Sequence, residues 1–260
     1  MLEPDMPSMV APPLLPAAAI TPPPRVSTRF ARKWLWAIAA VAVLFRLADA
    51  SQPGFHHPDE IWQYVEPAYG WVTGHWIVPW EFHVGLRGWL IPALFAPIIA
   101  LGQFVAPGTP FDQALLRCVL AVLALIVPAT FWRIGRQVST IHGLGAALMA
   151  AIWPEIFYFA GRPSGENLAC ILLFAAIWLL WRPMPGGHSR RDALLVGVCL
   201  ALATIIRFQY LPAIGLLALR GIWPDPRRLI GPMVLGGVAG IAIGGLADLA
   251  AGQTPFLWIW

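Results

Sequence analysis

The side chains best suited to acid–base chemistry are concentrated in one polar segment near the start of the chain. Asp59 and Glu60 stand side by side there, and four of the six histidines lie in the same segment. A carboxyl group that is partly desolvated beside a second carboxylate has a raised pKa, which suits it to accept a proton as a general base. The histidines and acidic residues between Ser51 and Arg87 are His56, His57, Asp59, Glu60, Glu66, His75, Glu81 and His83.

A short helix is predicted for residues 58–72, with an interruption or kink near Pro67. Pro58 suits the first turn of a helix, where its missing N–H would have no partner in any case. The apolar face is predicted to hold Ile61, Val65, Ala68 and Val72, and the polar face Asp59, Gln63, Glu66 and Gly70. We expect the helix to lie at a membrane surface with its carboxylates turned toward an aqueous cleft. In the alternative interpretation, Asp59 and Glu60 only favour the helix N-terminus as acidic first-turn residues.

A metal site is a second possibility for the same segment, because His56, His57, Asp59 and Glu60 are all suitable ligand types. Adjacent positions on a helix point in different directions, however. The spacing that places two imidazoles on one helix face, His-Glu-x-x-His, is absent from the sequence. The sequence therefore predicts neither a metal site nor a cofactor.

The composition surrounding this segment excludes a soluble domain. Apolar residues make up 58% of the chain and charged residues 12%, and the mean hydropathy is +0.69. About 20 helical residues cross a bilayer, and the alternating pattern of a membrane β-barrel is absent. The sequence thus predicts an all-α, polytopic membrane protein with about seven or eight membrane segments. The apolar runs lie at about 34–50, 88–106, 113–132, 143–160, 167–181, 193–206, 210–222 and 230–251.

The basic residues predict the orientation of these segments. Arg29, Arg32 and Lys33 precede the first apolar run, which places that end in the cytoplasm and the Asp59 loop on the non-cytoplasmic side. The arginines at 133, 136, 182, 190 and 191 also indicate cytoplasmic loops. This assignment requires one of the runs 88–106 and 113–132 to be re-entrant or to cross only partly. Pro92 and Pro97 favour the first. Residues 1–28, rich in proline and alanine, are predicted to be a disordered cytoplasmic tail.

The remaining compositional features concern the net charge, the cysteines and the source of the protein. The net charge of +4 does not indicate a nucleic-acid partner, because the arginines lie at the ends of apolar runs where membrane orientation already explains them. Cys118, Cys170 and Cys199 all fall within apolar runs, so neither a disulfide framework nor a Cys-rich metal site is expected. With one lysine among 17 basic residues, the composition favours a bacterial inner membrane, with the Asp59 loop in the periplasm.

Several motifs, taken in order, resemble glycosyltransferase family 22, the GT-C mannosyltransferases of GPI-anchor and lipid-linked-oligosaccharide assembly. The match is strongest in the first loop, where His57-Pro58-Asp59-Glu60-x-Trp62-Gln63-x-x-Glu66 is followed by Pro79-Trp80-Glu81 and Leu86-Arg87. Phe45-Arg46-Leu47 precedes it, and the segment from Gly161 to Asn167 is similar to a degenerate form of a later family element. Arg207, Asp248, Gly252 and Trp258 fall in matching order.

The resemblance implies transfer of mannose or a similar sugar, with inversion, from a polyprenyl-phosphate donor to a glycan or glycolipid acceptor at the non-cytoplasmic membrane face. Asp59 would be the general base, with Glu60 as its neighbouring carboxylate. The leaving phosphate would be held by arginine, which matches its geometry. Candidates for substrate contacts are His57, Gln63, Glu66, Trp80, Glu81, Arg87, Arg162, Glu166 and Arg207.

Each of the later candidates also has a structural interpretation. Arg207 at the end of an apolar run could be an interfacial residue whose side chain extends toward the headgroups. Arg162 and Glu166, at i and i+4, could form a local ion pair. Trp80 could anchor the loop at the interface.

A transporter and a non-catalytic membrane scaffold remain as alternatives to an enzyme. A transporter is expected to place ionisable residues near the middle of its spans, whereas here carboxylates crowd one loop. The chain ends on aromatic residues where the family continues, so we expect residues 29–260 to be a C-terminally incomplete module.

Overall fold

The computed structural model describes residues 27–52, 54–55, 57–181, 188–223 and 225–257. Within them the secondary structure is helical and no β-strand occurs, so the predicted all-α fold is confirmed. The tail predicted for residues 1–28 lies outside the described residues except for its last two. Ser27 caps the first helix by accepting a hydrogen bond from the backbone N–H of Phe30, and Thr28 begins that helix.

Twelve α-helices follow one another along the described chain, with a π-helical turn at Glu60–Val65 before the second of them and a 3₁₀ turn at Phe208–Tyr210 before the eleventh. They are α1 (Thr28–Ala50), α2 (Glu66–Thr73), α3 (Trp80–His83), α4 (Leu90–Val105), α5 (Phe111–Leu123), α6 (Ile126–Gly135), α7 (Thr140–Ile152), α8 (Pro154–Ala160), α9 (Gly165–Leu180), α10 (Arg190–Ile206), α11 (Leu211–Ile222) and α12 (Pro226–Ala250).

Two helical segments of the described chain are long and apolar enough to cross a membrane, Phe111–Gly135 and Pro226–Ala250. Helices α7 and α8 qualify together as a third, bent by 59° at the break before Pro154. Each of the eight predicted apolar runs contains helix. Most are shorter than a full crossing, and α1 carries charged residues along its 23-residue length. The result is a membrane-type helical bundle built from long, broken and short helices.

The packing of α1 against α7 and α8 defines two ends of this bundle. Ile38 and Ala42 of α1 pack on Ala147 and Ala151 of α7. Farther along, Ala50 at the end of α1 lies beside Gly161, which follows α8. The helices therefore run in parallel. We name the end where α1 begins the Arg32 end and the end where it finishes the Asp59 end.

Helices α10 and α12 also run in parallel, through an interface made of glycines. A Cβ at Gly236 would lie 2.0 Å from the Leu194 carbonyl oxygen, and one at Gly197 would lie 2.1 Å from the Met233 carbonyl oxygen. Close backbone approach of this kind is how small residues hold membrane helices together. Since Gly244 lies beside Ile205, the C-terminal end of α12 shares a level with the C-terminal end of α10.

Helix α4 does not run between the two ends, as expected if the run 88–106 is the one that crosses only partly. Its preceding residue, Trp89, donates its backbone N–H to Asp248 (2.8 Å) at the Asp59 end of α12. Soon after α4, Arg117 of α5 donates to the carbonyl oxygen of Gln52, just beyond α1. The chain is thus at the Asp59 end on both sides of α4, and Phe111–Gly135 leads from there to the Arg32 end, where Trp132 packs near Ile38.

Basic residues divide unequally between the two ends. At the Arg32 end, basic residues flank the helix termini: Arg29, Arg32, Lys33, Arg133, Arg136, Arg190, Arg191, Arg220, Arg227 and Arg228. At this end the guanidinium of Arg133 lies 3.2 Å from the centroid of the Trp178 ring. The Asp59 end instead mixes arginines with carboxylates.

A buried apolar cluster supports the segment that carries Asp59. Tyr64, Val65 and Ala68 pack against Phe95 and Ile99 of α4, with Leu116 and Leu120 of α5 and Leu168 of α9 completing the cluster. The Asp248 carboxylate accepts the backbone N–H of Trp89 with one oxygen and that of Phe256 (2.9 Å) with the other, so it links the start of α4 to the segment after α12. Helix α4 thus supports the Asp59 segment through apolar packing.

Candidate active site

The helix that carries Asp59 runs from residue 58 to residue 73, one residue beyond its predicted end, and it contains the π turn. In this turn the backbone N–H of Glu66 bonds to the Ile61 carbonyl, five residues back. Pro67, which has no N–H, follows directly. The interruption predicted near Pro67 is therefore a widened turn immediately before it.

The two faces of this helix differ from the prediction. Val65 and Ala68 of the apolar face are buried against protein, and on the polar face Gln63 and Gly70 are buried as well. The ring of Trp76 covers Gly70, where a Cβ would come within 2.1 Å of it. Gln63 and Gly70 are buried because α4 and the loop after α2 enclose the middle of the helix. Asp59 stays open because it lies at the start, before the enclosed part.

A cavity of about 350 Å³ opens beside Asp59. It gathers carboxylates, a histidine and an arginine from three parts of the chain that are distant in sequence. Its lining residues are His57, Asp59, Glu60, Tyr64, Phe159, Ser164, Glu166 and Arg207. Of the residues predicted from the sequence, the structure brings His57, Asp59, Glu60, Glu166 and Arg207 together here.

The two neighbouring carboxylates occupy different environments. The Asp59 side chain is 46% exposed, with its Oδ2 3.5 Å from His57 Nδ1, whereas Glu60 is 3% exposed. The backbone N–H of Asp59 also donates to His57 Nδ1 (3.2 Å). An open carboxylate can reach a bound hydroxyl, while a buried one cannot without a change in the loop. Asp59 is therefore the better placed of the two to accept a proton.

Arg207 forms the cationic side of the cavity. It follows the last residue of α10, and its Nη2 lies 2.6 Å from Glu166 Oε1 and donates to Tyr64 Oη (3.1 Å). Gly165 lets it approach, because a Cβ at that position would lie 2.8 Å from Arg207 Nε and 3.0 Å from Tyr64 Oη. Burial raises the pKa of the Tyr64 phenol above its usual value, although the nearby Arg207 charge opposes this. The phenol thus keeps its proton at neutral pH and can donate it in a hydrogen bond.

A narrower cleft of about 90 Å³ lies on the other side of Tyr64 and Arg207. Arg87 lines it and pairs with Glu81, whose Oε1 is 2.8 Å from Arg87 Nη2. Gln63 lines it too, and its Oε1 is buried without a hydrogen-bond partner. The rest of the lining is largely aliphatic, from Leu86, Leu90, Ile91, Ile205 and Ile206. Arg207 thus lines both the cavity beside Asp59 and this smaller cleft, in which charged and aliphatic side chains are mixed.

Three of the predicted substrate contacts lie elsewhere. Glu66 Oε1 accepts the backbone N–H of Ile77 (2.9 Å) and so fixes the loop after α2. Trp80 is 67% exposed on the surface. Arg162 is buried beside Asp49, 3.8 Å from its Oδ1, and it stacks on the Tyr158 ring. The local pair considered for Arg162 and Glu166 is replaced by the pair between Glu166 and Arg207.

No group of three or more histidine, cysteine, aspartate or glutamate side chains suited to hold a metal ion occurs in the described part of the chain. His56, considered as a ligand with its neighbours, lies outside the described residues, as does Trp258 of the sequence resemblance. Cys118, Cys170 and Cys199 are free thiols within α5, α9 and α10. The cavity therefore offers acid–base and charge-pairing groups.

Sequence reasoning missed Tyr64, Ser164 and Phe159 in the cavity lining. Ser164 is the N-cap of α9, where its hydroxyl accepts from the backbone N–H of Asn167 (3.2 Å). A serine before a helical run is a signal that could have placed this helix start beside the cavity. Tyr64 gave no comparable signal, because a tyrosine in an apolar stretch is usual in a core.

Comparisons with known proteins identify the family of the chain. The model of the Alg9-like mannosyltransferase family matches residues 36–235. GPI mannosyltransferase 3 of Yarrowia lipolytica is 26% identical over 148 residues, 56% of this chain and 29% of that protein. Mannosyltransferase APTG1 of Arabidopsis thaliana is 37% identical over 57 residues, 22% of this chain and 10% of that protein.

The matched segments thus span less than a third of each of these relatives. No solved structure matches the chain. The family match covers most of the described helices, including the whole cavity around Asp59. The chain belongs to the Alg9-like mannosyltransferase family.

Proposed function

We propose that this protein transfers a mannosyl residue, with inversion, from a polyprenyl-phosphate donor to a hydroxyl group of a glycan or glycolipid. The observation that carries the proposal is the cavity in which the open carboxylate of Asp59 and the guanidinium of Arg207 line the same space. An inverting displacement needs one base on the acceptor side and positive charge on the leaving-group side. The family match and the names of both relatives support mannose as the sugar.

In the proposed step the acceptor oxygen attacks the anomeric carbon while Asp59 removes its proton. The bond between that carbon and the donor's phosphate oxygen breaks, and the polyprenyl phosphate leaves with the electron pair. Arg207 binds the phosphate as negative charge develops on the leaving oxygen. Arg87, on the neighbouring cleft, adds a second cation, and the aliphatic side chains of that cleft suit the first prenyl units.

The other cavity residues have supporting roles in this proposal. His57 holds the backbone at Asp59 by accepting its N–H, and Glu60 supplies the buried second carboxylate. Gln63, whose Oε1 lacks a partner, accepts a hydrogen bond from a sugar hydroxyl. Trp80 and Glu81 line neither the cavity nor the cleft, so we assign neither of them to the acceptor. Because Arg162 is buried away from the cavity, we do not assign it to the phosphate.

The sidedness of the reaction is also a proposal. Basic residues flank the helices at the Arg32 end, which the positive-inside rule assigns to the cytoplasm. The cavity then opens on the non-cytoplasmic side. The bacterial inner membrane inferred from composition stays a prediction, and both relatives come from eukaryotes.

The test is a transfer assay in membranes from cells that express the chain, with radiolabelled mannose supplied either as polyprenyl-phosphate-mannose or as nucleotide-mannose. The proposal predicts that label moves to lipid or glycan from the polyprenyl donor only. Label that crosses the membrane without becoming attached would indicate a transporter instead. Transfer from the nucleotide donor alone would refute the polyprenyl-phosphate donor.

A further inference from the structure

A second group of charged residues lies outside the cavity, buried where three elements meet. It consists of Asp49 near the end of α1, Arg117 of α5 and Arg162 between α8 and α9. Arg117 Nη2 and Arg162 Nη2 lie 4.0 Å and 3.8 Å from the Asp49 carboxylate, and all three side chains are at most 10% exposed. Buried charges are costly unless they are paired and hydrogen-bonded. The presence of three of them here therefore needs a structural or functional explanation.

The contacts of the two arginines point to the segment between α1 and Asp59. Arg117 donates to the carbonyl oxygens of Gln52, Gly54 (3.2 Å) and Asp49 (3.0 Å). Arg162 donates to the same Gly54 carbonyl (3.3 Å) from the opposite side. The two guanidinium groups thus hold the backbone of this segment at two points, and the second lies only five residues before Asp59.

The excess positive charge of the cluster fits this location. Two guanidinium groups face the Asp49 carboxylate, and the buried Glu60 carboxylate also acts on Arg117. Both arginines lie at the C-terminal end of α1, where unpaired carbonyls carry partial negative charge. Gly161 makes room for the meeting point, since a Cβ there would lie 3.3 Å from both Ala50 and the Arg117 carbonyl oxygen. Asn167 fixes the α8–α9 connection by donating to the carbonyls of Ala160 (2.8 Å) and Arg162 (3.0 Å). The backbone that carries Arg162 is therefore itself fixed by hydrogen bonds.

We propose that Asp49, Arg117 and Arg162 form a positioning clamp that sets the location of Asp59 through the backbone of residues 51–58. This inference rests on the proposed function, because it assigns the clamp's purpose to the reaction at Asp59. None of the three clamp side chains lines the cavity. The Arg117 charge does act on the buried Glu60 carboxylate that lines the cavity, so the test variants keep the positive charge and change the geometry alone. A shift of about 1 Å in a reacting group is enough to cost about 100-fold in rate.

The test compares arginine-to-lysine variants of the full chain in detergent or nanodiscs. Arg117→Lys keeps the charge, but the three donors of an ammonium, all on one nitrogen, cannot replace the contacts of the guanidinium with three carbonyls and a carboxylate. Arg162→Lys is a milder variant that loses one carbonyl contact, should Arg117→Lys fail to fold. Arg46→Lys is the matched control. Arg46 is 1% exposed in α1 and donates to the carbonyls of Ala42, Ala150 and Ala151, away from the Asp59 segment.

Two readouts are needed. Hydrogen exchange of the peptide covering residues 51–60 is expected to quicken by about tenfold or more in the clamp variants, the size expected for losing a hydrogen bond to a charged group. In the transfer assay, kcat is expected to fall by about tenfold or more while KM for the donor stays within about twofold, because the donor's phosphate contacts are on other elements. Arg46→Lys should change neither readout.

Unchanged exchange in both clamp variants would overturn the clamp, as would an equal increase in Arg46→Lys. A rise in KM at constant kcat would also overturn it, because that pattern indicates lost substrate binding. If the unmodified chain transfers no sugar, the proposed function fails by that result alone. The exchange measurement still decides whether the arginines hold the segment.

Discussion

Replacing Arg207 is the most informative change at the cavity, because this residue lines both the cavity beside Asp59 and the neighbouring cleft. Its guanidinium pairs with Glu166 at 2.6 Å, but Glu166 is 57% exposed. The Arg207 side chain is 20% exposed, and a partly solvated ion pair of this kind contributes about 1 kcal/mol to stability. Its hydrogen bond to Tyr64 contributes about another 1 kcal/mol. Arg207→Met should therefore lower the free energy of unfolding by only about 1–2 kcal/mol.

The expected loss of activity is much larger. Removing one preorganised group that stabilises charge in a transition state costs about 10²–10³ in kcat. Arg207→Met should lose that much in mannosyl transfer from the polyprenyl-phosphate donor. Arg207→Lys should lie between the two, because it retains the charge but not the planar, bidentate geometry.

The assay measures initial rates with radiolabelled donor, divided by the amount of protein. The melting temperature in detergent checks that each variant is folded at the assay temperature. Arg220→Met serves as the control, because Arg220 stacks near Trp181 at the Arg32 end. The reasoning is refuted if Arg207→Met retains activity within about threefold of the parent. It is also refuted if Arg220→Met loses as much, because the loss would then not report on the cavity.

Three further changes test other parts of the structure. Gly165→Ala places a Cβ 2.8 Å from the guanidinium nitrogen of Arg207, so it should lower transfer about tenfold with little effect on melting, unlike Gly215→Ala, which has open space. Gly236→Ala drives a Cβ into a backbone carbonyl and should destabilise the protein by about 1–3 kcal/mol. Its neighbour Gly237→Ala meets nothing within 4 Å and should be neutral or stabilising. Burial and the adjacent Arg220 guanidinium lower the pKa of His188 below its usual 6.5, so stability should fall as pH drops through the interval below 6.5, where the unfolded chain takes up a proton that the folded chain resists.

Melting temperatures in detergent and rates in the transfer assay check these expectations. Equal activity of the two alanine variants at positions 165 and 215 would contradict the close approach at the cavity. Equal melting of the variants at 236 and 237 would contradict the glycine interface between α10 and α12. For the histidine, melting between pH 7.5 and 5.5 should flatten in His188→Gln, and an unaltered slope would assign the pH dependence to another group.

The local features of the Asp59 segment could be predicted because they are encoded locally. Pro58 at a helix start and the break near Pro67 follow from proline's fixed geometry and missing N–H. The apolar runs likewise indicate helices because backbone groups in lipid must be satisfied within their own segment. What these signals cannot provide is which surface of a helix meets which neighbour, and so the burial of Gln63 and Glu60 was not foreseen.

The arginines show the same limit more clearly. Arg162 and Arg207 both follow helices and both were candidates for the phosphate. Spacing suggested that Glu166 pairs with Arg162 four residues earlier, but the fold pairs it with Arg207, 41 positions later in the chain. Because Arg162 follows α8, which runs beside α1, it meets Asp49 instead. Only the tertiary arrangement separates the residue that lines the cavity from the one that supports it.

The central claim is that Asp59 removes the acceptor proton, and the most direct measurement compares Asp59→Asn with Glu60→Gln in single-turnover transfer from polyprenyl-phosphate-mannose. Loss of a general base costs about 10²–10⁴ in rate. The account predicts a loss of at least two orders of magnitude for Asp59→Asn, with donor binding retained, and a smaller loss for Glu60→Gln. Transfer by Asp59→Asn within tenfold of the parent, or a greater loss in Glu60→Gln, would contradict the assignment of the base.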